Sequence, residues 1–311
     1  MTALAAPMLA GPAMAARPMM GGQVSVHILD DIDPRTAELA ADRVLDRIEA
    51  WARRLSRFLP DSGLSLLNAS RLPLVPIGPT LTAVLDWART AESISDGLVD
   101  VAMLDARMAA EDGRSITRPL TATRRWSMER GPRGASVRRE PGVRLDIDGV
   151  AKGWLADRAL AITPGRSVLV DGDGDLAATV APGDEFHVGV ADPRTPDDNL
   201  AVIRLAGNAY GGPRRLGLAT SGTSVHRWTH GPAAGHHLID PLTWLPAVTD
   251  VVQATVLAGT AREAETFAKM AVIAGAERAP VLLDRSGVHG VLLLTTRGEI
   301  RATPGMLEWL A

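Results

Sequence analysis

The chain has 311 residues, 46% of them hydrophobic, enough for a sizeable core, so disorder of the whole chain is excluded. Its formal net charge of −3 leaves no basic footprint for nucleic acid and no cationic attraction to anionic lipid. That charge balance points to a small molecule or a protein partner, and the absence of cysteine excludes disulfides, thiolate zinc sites and thiol nucleophiles.

The first twenty residues, MTALAAPMLAGPAMAARPMM, are rich in Ala, Met and Pro, with no basic residue before Arg17, a poor match to a secretory signal. Residues 1–19 therefore read as a flexible tail, followed by one domain over 20–311. No stretch reaches the apolar length of a membrane span, and the cytoplasm is the expected compartment.

GGQVSVHIL (21–29) alternates in the manner of a strand, and residues 31–58 follow as a long helix. Asp33 is placed to cap that helix with Pro34 in its first turn, while Ala37, Ala40, Val44, Ile48, Trp51 and Leu55 recur at three- and four-residue steps. A loop containing Pro60, Ser62 and Asn68 leads to a second helix near 80–95, stopped by Gly97. From about residue 123 the texture changes to short β-branched runs: VRLDI, SVLVDG, DLAATV, FHVGV, AVIRL, GLATS, HHLID, VVQATVL, PVLLD and VLLLTT. Two helices interrupt them, over 149–162 and 260–275, the second opened by Thr260 and Glu263 as a capping box and closed by Gly275. The mixture predicts an α+β fold with largely antiparallel sheets and packed helices.

Four stretches carry chemistry. LDIDGVAKGWLAD (145–157) runs from a strand through a turn into a helix, placing Lys152 in the first helical turn; this suits either an anion cradle or a plain junction with a surface lysine. LVDGDGDLAA (169–178) imitates the start of a calcium loop, but Leu176 and Pro182 occupy the places of its glycine and bidentate glutamate, so calcium is rejected and a tight acidic turn remains. LGLATSGTSVHRW (216–228) lacks a nucleophile elbow around Ser221 and reads as a Thr-Ser-Gly turn offering hydroxyl and amide groups. GHHLIDPLTWLPA (235–247) places two adjacent histidines at the start of a short strand. His226, His230, His236 and Asp240 could supply ligands to a transition metal, although Gly222 and Gly231 argue against the helix that would align them. Glu265 and Lys269 are spaced for an exposed helical ion pair.

Taken in order, these stretches resemble the ApbE-type FAD:protein FMN transferases. MGG (20–22) resembles the family's Met-Gly-Thr, SRFLPDSGLSLLN (56–68) its Ser-x-Phe segment, and SDGLVDVAM (95–103) its Gly-x-x-Asp element. DIDGVAKGWLAD (146–157) is similar to Asp-x-Gly-Gly-x-Ala-Lys-Gly, VDGDGD (170–175) to Asn-x-Gly-Gly-Asp, ATSG (219–222) is unaltered, and HLIDPLTWLPA (237–247) resembles His-Ile-Ile-Asp-Pro-x-Thr-Gly-x-Pro.

The resemblance implies a T-fold-like architecture and transfer of FMN from FAD to a threonine in a short motif of an acceptor flavoprotein, with AMP released. It makes His237 the base, suited to the task by an ordinary pKa of about 6.5, and His236 a neighbour. Lys152 would hold phosphate, and Met20, Leu98, Val99, Asp100, Asp146 and Leu238, with Asp175 and Ser221 behind them, fall on flavin-contacting positions. The family's magnesium site corresponds to the Gly149 carbonyl and to Glu265 and Lys269, where the family has aspartate and threonine. A protonated lysine cannot ligate magnesium, although its ammonium can take over part of the cation's electrostatic role. Leu242 and Trp244 replace the usual arginine and glycine after the base, which bears on acceptor recognition. The competing readings are a noncatalytic FAD-binding protein with a degraded metal site and a magnesium-dependent FAD pyrophosphatase.

Overall fold

The structure, a computed structural model, describes residues 15–29, 33–114, 116, 125–228, 235–284 and 287–311. Strands β1 (Ala15–Met19) and β2 (Gly22–Ile28) lead into helices α1 (Pro34–Leu55) and α2 (Gly63–Ala69), strand β3 (Leu74–Ile77), and helices α3 (Pro79–Ile94) and α4 (Leu104–Glu111). Strands β4 (Trp126–Gly131) and β5 (Gly134–Arg139) precede helix α5 (Asp148–Leu160) and then β6 (Val168–Gly172), β7 (Asp175–Val180), β8 (Glu185–Asp192), β9 (Thr195–Ala206) and β10 (Arg214–Gly222). Four two-residue strands come next: β11 (Arg227–Trp228), β12 (Gly235–His236), β13 (Ile239–Asp240) and β14 (Leu245–Pro246). The chain ends with β15 (Val251–Ala258), α6 (Ala261–Ala274), α7 (Arg278–Asp284), β16 (Gly290–Thr295), β17 (Ile300–Ala302) and α8 (Pro304–Leu307).

Two compact units are formed, the first from the described parts of Met1–Glu49, Lys152–Val225 and Thr249–Ala311, the second from those of Ala50–Ala151 and His226–Val248. The first unit is built on an eight-stranded sheet in the order β1-β2-β6-β7-β10-β15-β16-β17. Every neighbouring pair in it is antiparallel, as the run of short strands predicts. On β2, Val24, Val26 and Ile28 pack against Ala41, Leu45 and Ile48 of α1. The opposite face of β2 is buried as well, and there Ser25 Oγ and His27 Nε2 satisfy each other at 2.9 Å, so the alternating polar residues do not mark a wet face. A second cluster joins Leu169, Leu176, Leu218 and Leu257 of the sheet to Val188 and Ile203 of the β8–β9 hairpin. Helix α6 lies against β10 and β15.

The second unit contains α2, α3, α4 and the three-stranded sheet β3-β5-β4. Here Met103, Ala106 and Ala110 of and beside α4 pack with Ile239 and Trp244.

Several expectations need correction. Residues 15–19, assigned to the tail, form β1 and pair with β2, while 1–14 lie outside the described residues. The Ser62 loop contains α2, because Ser62 Oγ accepts the Ser65 N–H at 3.0 Å and Leu64 and Leu67 bury its apolar side. VRLDI is not a strand: the Asn68 amide accepts the Leu145 N–H and donates to the Leu145 carbonyl, both at 2.8 Å, and so takes the place of a strand partner. PVLLD lies in α7, burying Ala279 and Leu283 at helical spacing, an ambiguity inherent in short apolar runs. The sequence reading also lacked α4 and the β3-β5-β4 sheet. Among the described residues no helix is long and apolar enough to cross a membrane.

Candidate functional site

In the first unit the β1–β2 hairpin turns on Met20 and Gly21, with φ of 57° and 98°, the positive pair a two-residue turn of this hand requires. The next residue, Gly22, faces Asp173 so closely that a Cβ there would lie 1.8 Å from Asp173 Oδ1. Asp173 sits in the β6–β7 turn with φ of 68°, and the turn is closed by the Gly174 N–H donating to Asp171 Oδ1 at 2.7 Å. Lys152 Nζ donates to the Asp173 carbonyl at 3.2 Å and stands 3.8 and 3.9 Å from the carboxylates of Asp173 and Asp175. The acidic turn and the lysine are therefore one constellation, not separate features.

Pairing of Ala219 with Asp175 lays the ATSG segment alongside that turn. Thr220, Ser221 and Gly222 are strand residues of β10, opposite Thr255, Ala254 and Gln253, and not the turn expected from the sequence. The hydroxyls of Thr220 and Thr255 meet at 2.8 Å.

Helix α6 starts where expected, with Thr260 Oγ1 accepting the Glu263 N–H and donating to Glu263 Oε2 at 2.7 Å. Asp157, which the sequence reading passed over, accepts the Ala261 and Arg262 N–H groups at 3.2 Å each and anchors the same helix end to α5. Glu265 is not on the surface: its side chain is buried, so the exposed ion-pair reading fails. Its Oε2 accepts the Gly153 N–H at 3.0 Å, while Oε1 is buried with no hydrogen-bond partner among the described residues. Gly149, in the first turn of α5, has a non-helical ψ of 15°.

Burial pushes the Asp171 carboxyl up to about 7, against its bond from Gly174, and the neighbouring Asp173 and Asp175 push the same way. Burial raises Glu265 well above the carboxylate range, Asp175 adds to this, and Lys152, the Gly153 N–H and Lys269 oppose it.

In the second unit, His236 and His237 prove to be different kinds of histidine. His236 Nε2 donates to the Ala247 carbonyl at 3.0 Å and Nδ1 accepts the Leu238 N–H at 3.3 Å, which commits both ring nitrogens to the backbone. Burial lowers its pKa, so the ring is a neutral staple. His237 is half-buried, and its ring meets that of His226 edge-on at 5.2 Å. Leu238 is buried, its carbonyl accepting the Ala247 N–H at 2.9 Å. The following turn is closed by Asp240, which takes the Leu242 N–H on Oδ1 and the Trp244 N–H on its carbonyl, both at 2.8 Å. Trp244 has φ of 63°, a conformation suited to the glycine it replaces, yet it is buried and carries the Arg125 guanidinium 4.2 Å above its ring.

Leu98 and Val99 are buried, and the Val99 N–H donates to Ser95 Oγ at 3.0 Å. Asp100 Oδ1 accepts the Ala102 N–H at 2.8 Å. Asp146 is committed to structure: Oδ2 binds Arg107 at 2.8 Å and Oδ1 accepts the Asp148 N–H at 3.1 Å. Arg107 also holds Asp148 at 2.8 Å, and although burial works against its charge the carboxylates keep it fully protonated. Sequence reasoning missed Arg107 and Arg125, since neither the burial of an arginine on α4 nor its stacking on a distant tryptophan leaves a local mark in the sequence. The structure thus gathers Met20, Lys152, Asp175, Ser221, Glu265 and Lys269 in the first unit, and Leu98, Val99, Asp100, Asp146, Gly149, His237 and Leu238 in the second.

Magnesium requires near-octahedral oxygen ligands at close range. At the two matched positions of α6 the offer is one carboxylate, Glu265, with an oxygen already taken by Gly153, followed one turn later by the Lys269 ammonium, which has no lone pair. This donor set does not fit the ion. Nor, among the described residues, does any group of three or more His, Asp or Glu side chains stand ready to hold a metal. Of the transition-metal candidates, His230 lies outside the described residues.

Residues 20–292 match the ApbE family. A FAD:protein FMN transferase of Treponema pallidum is 27% identical over 183 residues, covering 54% of this chain and 48% of the relative. One from Rhodobacter capsulatus is 29% identical over 253 residues, covering 74% and 45%, so the chain spans about half the length of these two relatives. The Escherichia coli protein of the same name is 21% identical over 286 residues, covering 85% and 79%. Among solved structures, an ApbE protein of Thermotoga maritima superimposes with a TM-score of 0.76 at 21% identity, covering 96% of this chain and 98% of the other. The apo flavinyl transferase ApbE of Pseudomonas stutzeri gives 0.73 at 18% identity, covering 97% and 96%. These superpositions bear out the α+β, largely antiparallel fold, and the match over most of its length shows that the chain belongs to the ApbE family.

Proposed function

We propose that this chain is a FAD:protein FMN transferase, with residues 20–311 as its working domain. The observation that carries the proposal is the family match over residues 20–292, with relatives named for that activity. In the reaction, an acceptor threonine Oγ attacks the FMN-side phosphorus of FAD, forming a new P–O bond as the bridging P–O bond breaks. AMP departs with the bridging oxygen.

His237 takes the threonine proton, and the staple made by His236 holds the backbone beside it. Lys152 supplies positive charge to the pyrophosphate, a role its position over the acidic turn supports. Met20, Leu98, Val99, Asp100 and Leu238 shape the flavin site, Asp175 and Ser221 flank Lys152, and Asp146 positions the segment before α5 through Arg107. The acceptor is a flavoprotein with a threonine-containing motif.

Incubating the purified protein with FAD and such an acceptor domain tests the reading. Acceptor-bound flavin formed in equal amount with AMP is expected; FAD recovered intact supports the noncatalytic alternative, and FMN plus AMP without acceptor labelling supports the pyrophosphatase.

A further inference from the structure

The α6 donor set that fails to suit magnesium carries a positive charge of its own. Glu265 and the half-buried Lys269 are four residues apart on α6 and so share a helix face. Lys152 stands on α5 next to Gly153, which donates directly to Glu265, and its ammonium lies over the acidic turn of Asp173 and Asp175. Lys152, beside the glycine that holds Glu265, and Lys269, one turn further along α6, therefore flank one buried side chain, and both lysines belong to the first unit.

We infer that the ammonium groups of Lys152 and Lys269 supply the positive charge that faces the FAD pyrophosphate, and that FAD binding by this chain needs no divalent metal. The inference rests on the flavin reading above. A divalent ion placed between these lysines meets repulsion from both, and an ammonium at a ligand position can neither coordinate it nor leave room for a bound water. Each ammonium also offers three N–H donors, so the pair can bind phosphate oxygens directly, as a metal ion would.

The test is FAD binding by the full chain, followed by flavin fluorescence and by melting temperature, after EDTA treatment and with added Mg²⁺. Wild type is expected to bind FAD equally under both conditions, within about twofold. K269M should lose about tenfold or more in affinity in both, the loss of one charge-assisted phosphate contact. K269T, which restores a hydroxyl, should bind poorly in EDTA and recover with Mg²⁺. Circular dichroism of each variant separates lost binding from lost folding. A saturable rise in wild-type affinity on adding Mg²⁺ overturns the inference, as does K269M binding like wild type. AMP release is scored in parallel: metal-independent FAD binding without AMP sinks the transferase reading and leaves this inference standing, whereas no FAD binding at all removes both.

Discussion

The Gly153 N–H donates to Glu265 Oε2 at 3.0 Å across 112 residues of sequence, joining the start of α5 to the middle of α6. The contact exists because Gly153 has no side chain: a Cβ would fall 2.6 Å from the Ala261 carbonyl oxygen, a backbone atom that cannot step aside. G153A should therefore destabilise the protein by about 2 kcal/mol or more, in the range of overpacked cores. E265A, which strands the Gly153 amide, should cost about 1–3 kcal/mol. Urea denaturation measures both, and a G153A protein as stable as wild type would show that α5 and α6 are not packed this tightly.

The turn after His237 sets two effects against each other. Trp244 at positive φ costs about 1–2 kcal/mol of backbone strain, while truncating a buried tryptophan costs about 3–5 kcal/mol. Burial wins, so W244G is expected to destabilise the protein even though it restores the family's glycine. R125M should cost less, because it keeps an apolar stem over the ring while losing the cation–π contact and the 3.0 Å bond to the Ala102 carbonyl. A W244G protein more stable than wild type in denaturant would reverse the ranking.

The two histidines should separate in kinetics. H237A is expected to abolish AMP release while FAD binding stays within about threefold of wild type, the pattern of a lost base. H236A should act through stability, at about 1–3 kcal/mol for a buried staple, with partial loss of rate as the backbone beside His237 loosens. If H237A instead loses FAD binding and folding together, His237 is a structural residue.

Asp171 makes stability fall with rising pH. Its carboxyl is pushed up to about 7 in the fold, against about 3.9 in an unfolded chain, so between these values the folded state holds a proton that the unfolded state has released. Stability is therefore full below about pH 4 and declines until about pH 7. Asp157 and Glu265, also raised by burial, add to the same slope. D171N keeps an acceptor for the Gly174 N–H and carries no charge, so it should flatten the decline and be the more stable protein at pH 8. Urea midpoints at pH 5 and pH 8 decide this, and an unchanged slope in D171N would locate the effect elsewhere.

Much of the architecture was legible before the structure. The apolar stripe of α1 predicts its buried face, Asp33 and Thr260 cap the helices they were expected to cap, and the alternating runs become the antiparallel sheet. The ordered motifs sufficed to place the family. Helical and strand periods are local properties, and caps and turns are set by residues three or four apart, so these could be read from the sequence.

What the sequence could not determine was the environment of each charged group. An i, i+4 Glu265–Lys269 pair looks solvated on any helical wheel; the approach of α5, through a glycine more than a hundred residues away, helps bury Glu265. VRLDI has strand composition, but the Asn68 side chain takes the hydrogen bonds a neighbouring strand would have made. Two adjacent histidines are equivalent in sequence, and they part ways because the Ala247 carbonyl and the Leu238 N–H claim both nitrogens of one ring. Local periodicity determined the elements, while desolvation and the choice of hydrogen-bond partners, which depend on chain segments distant in sequence, were decided by the tertiary structure alone.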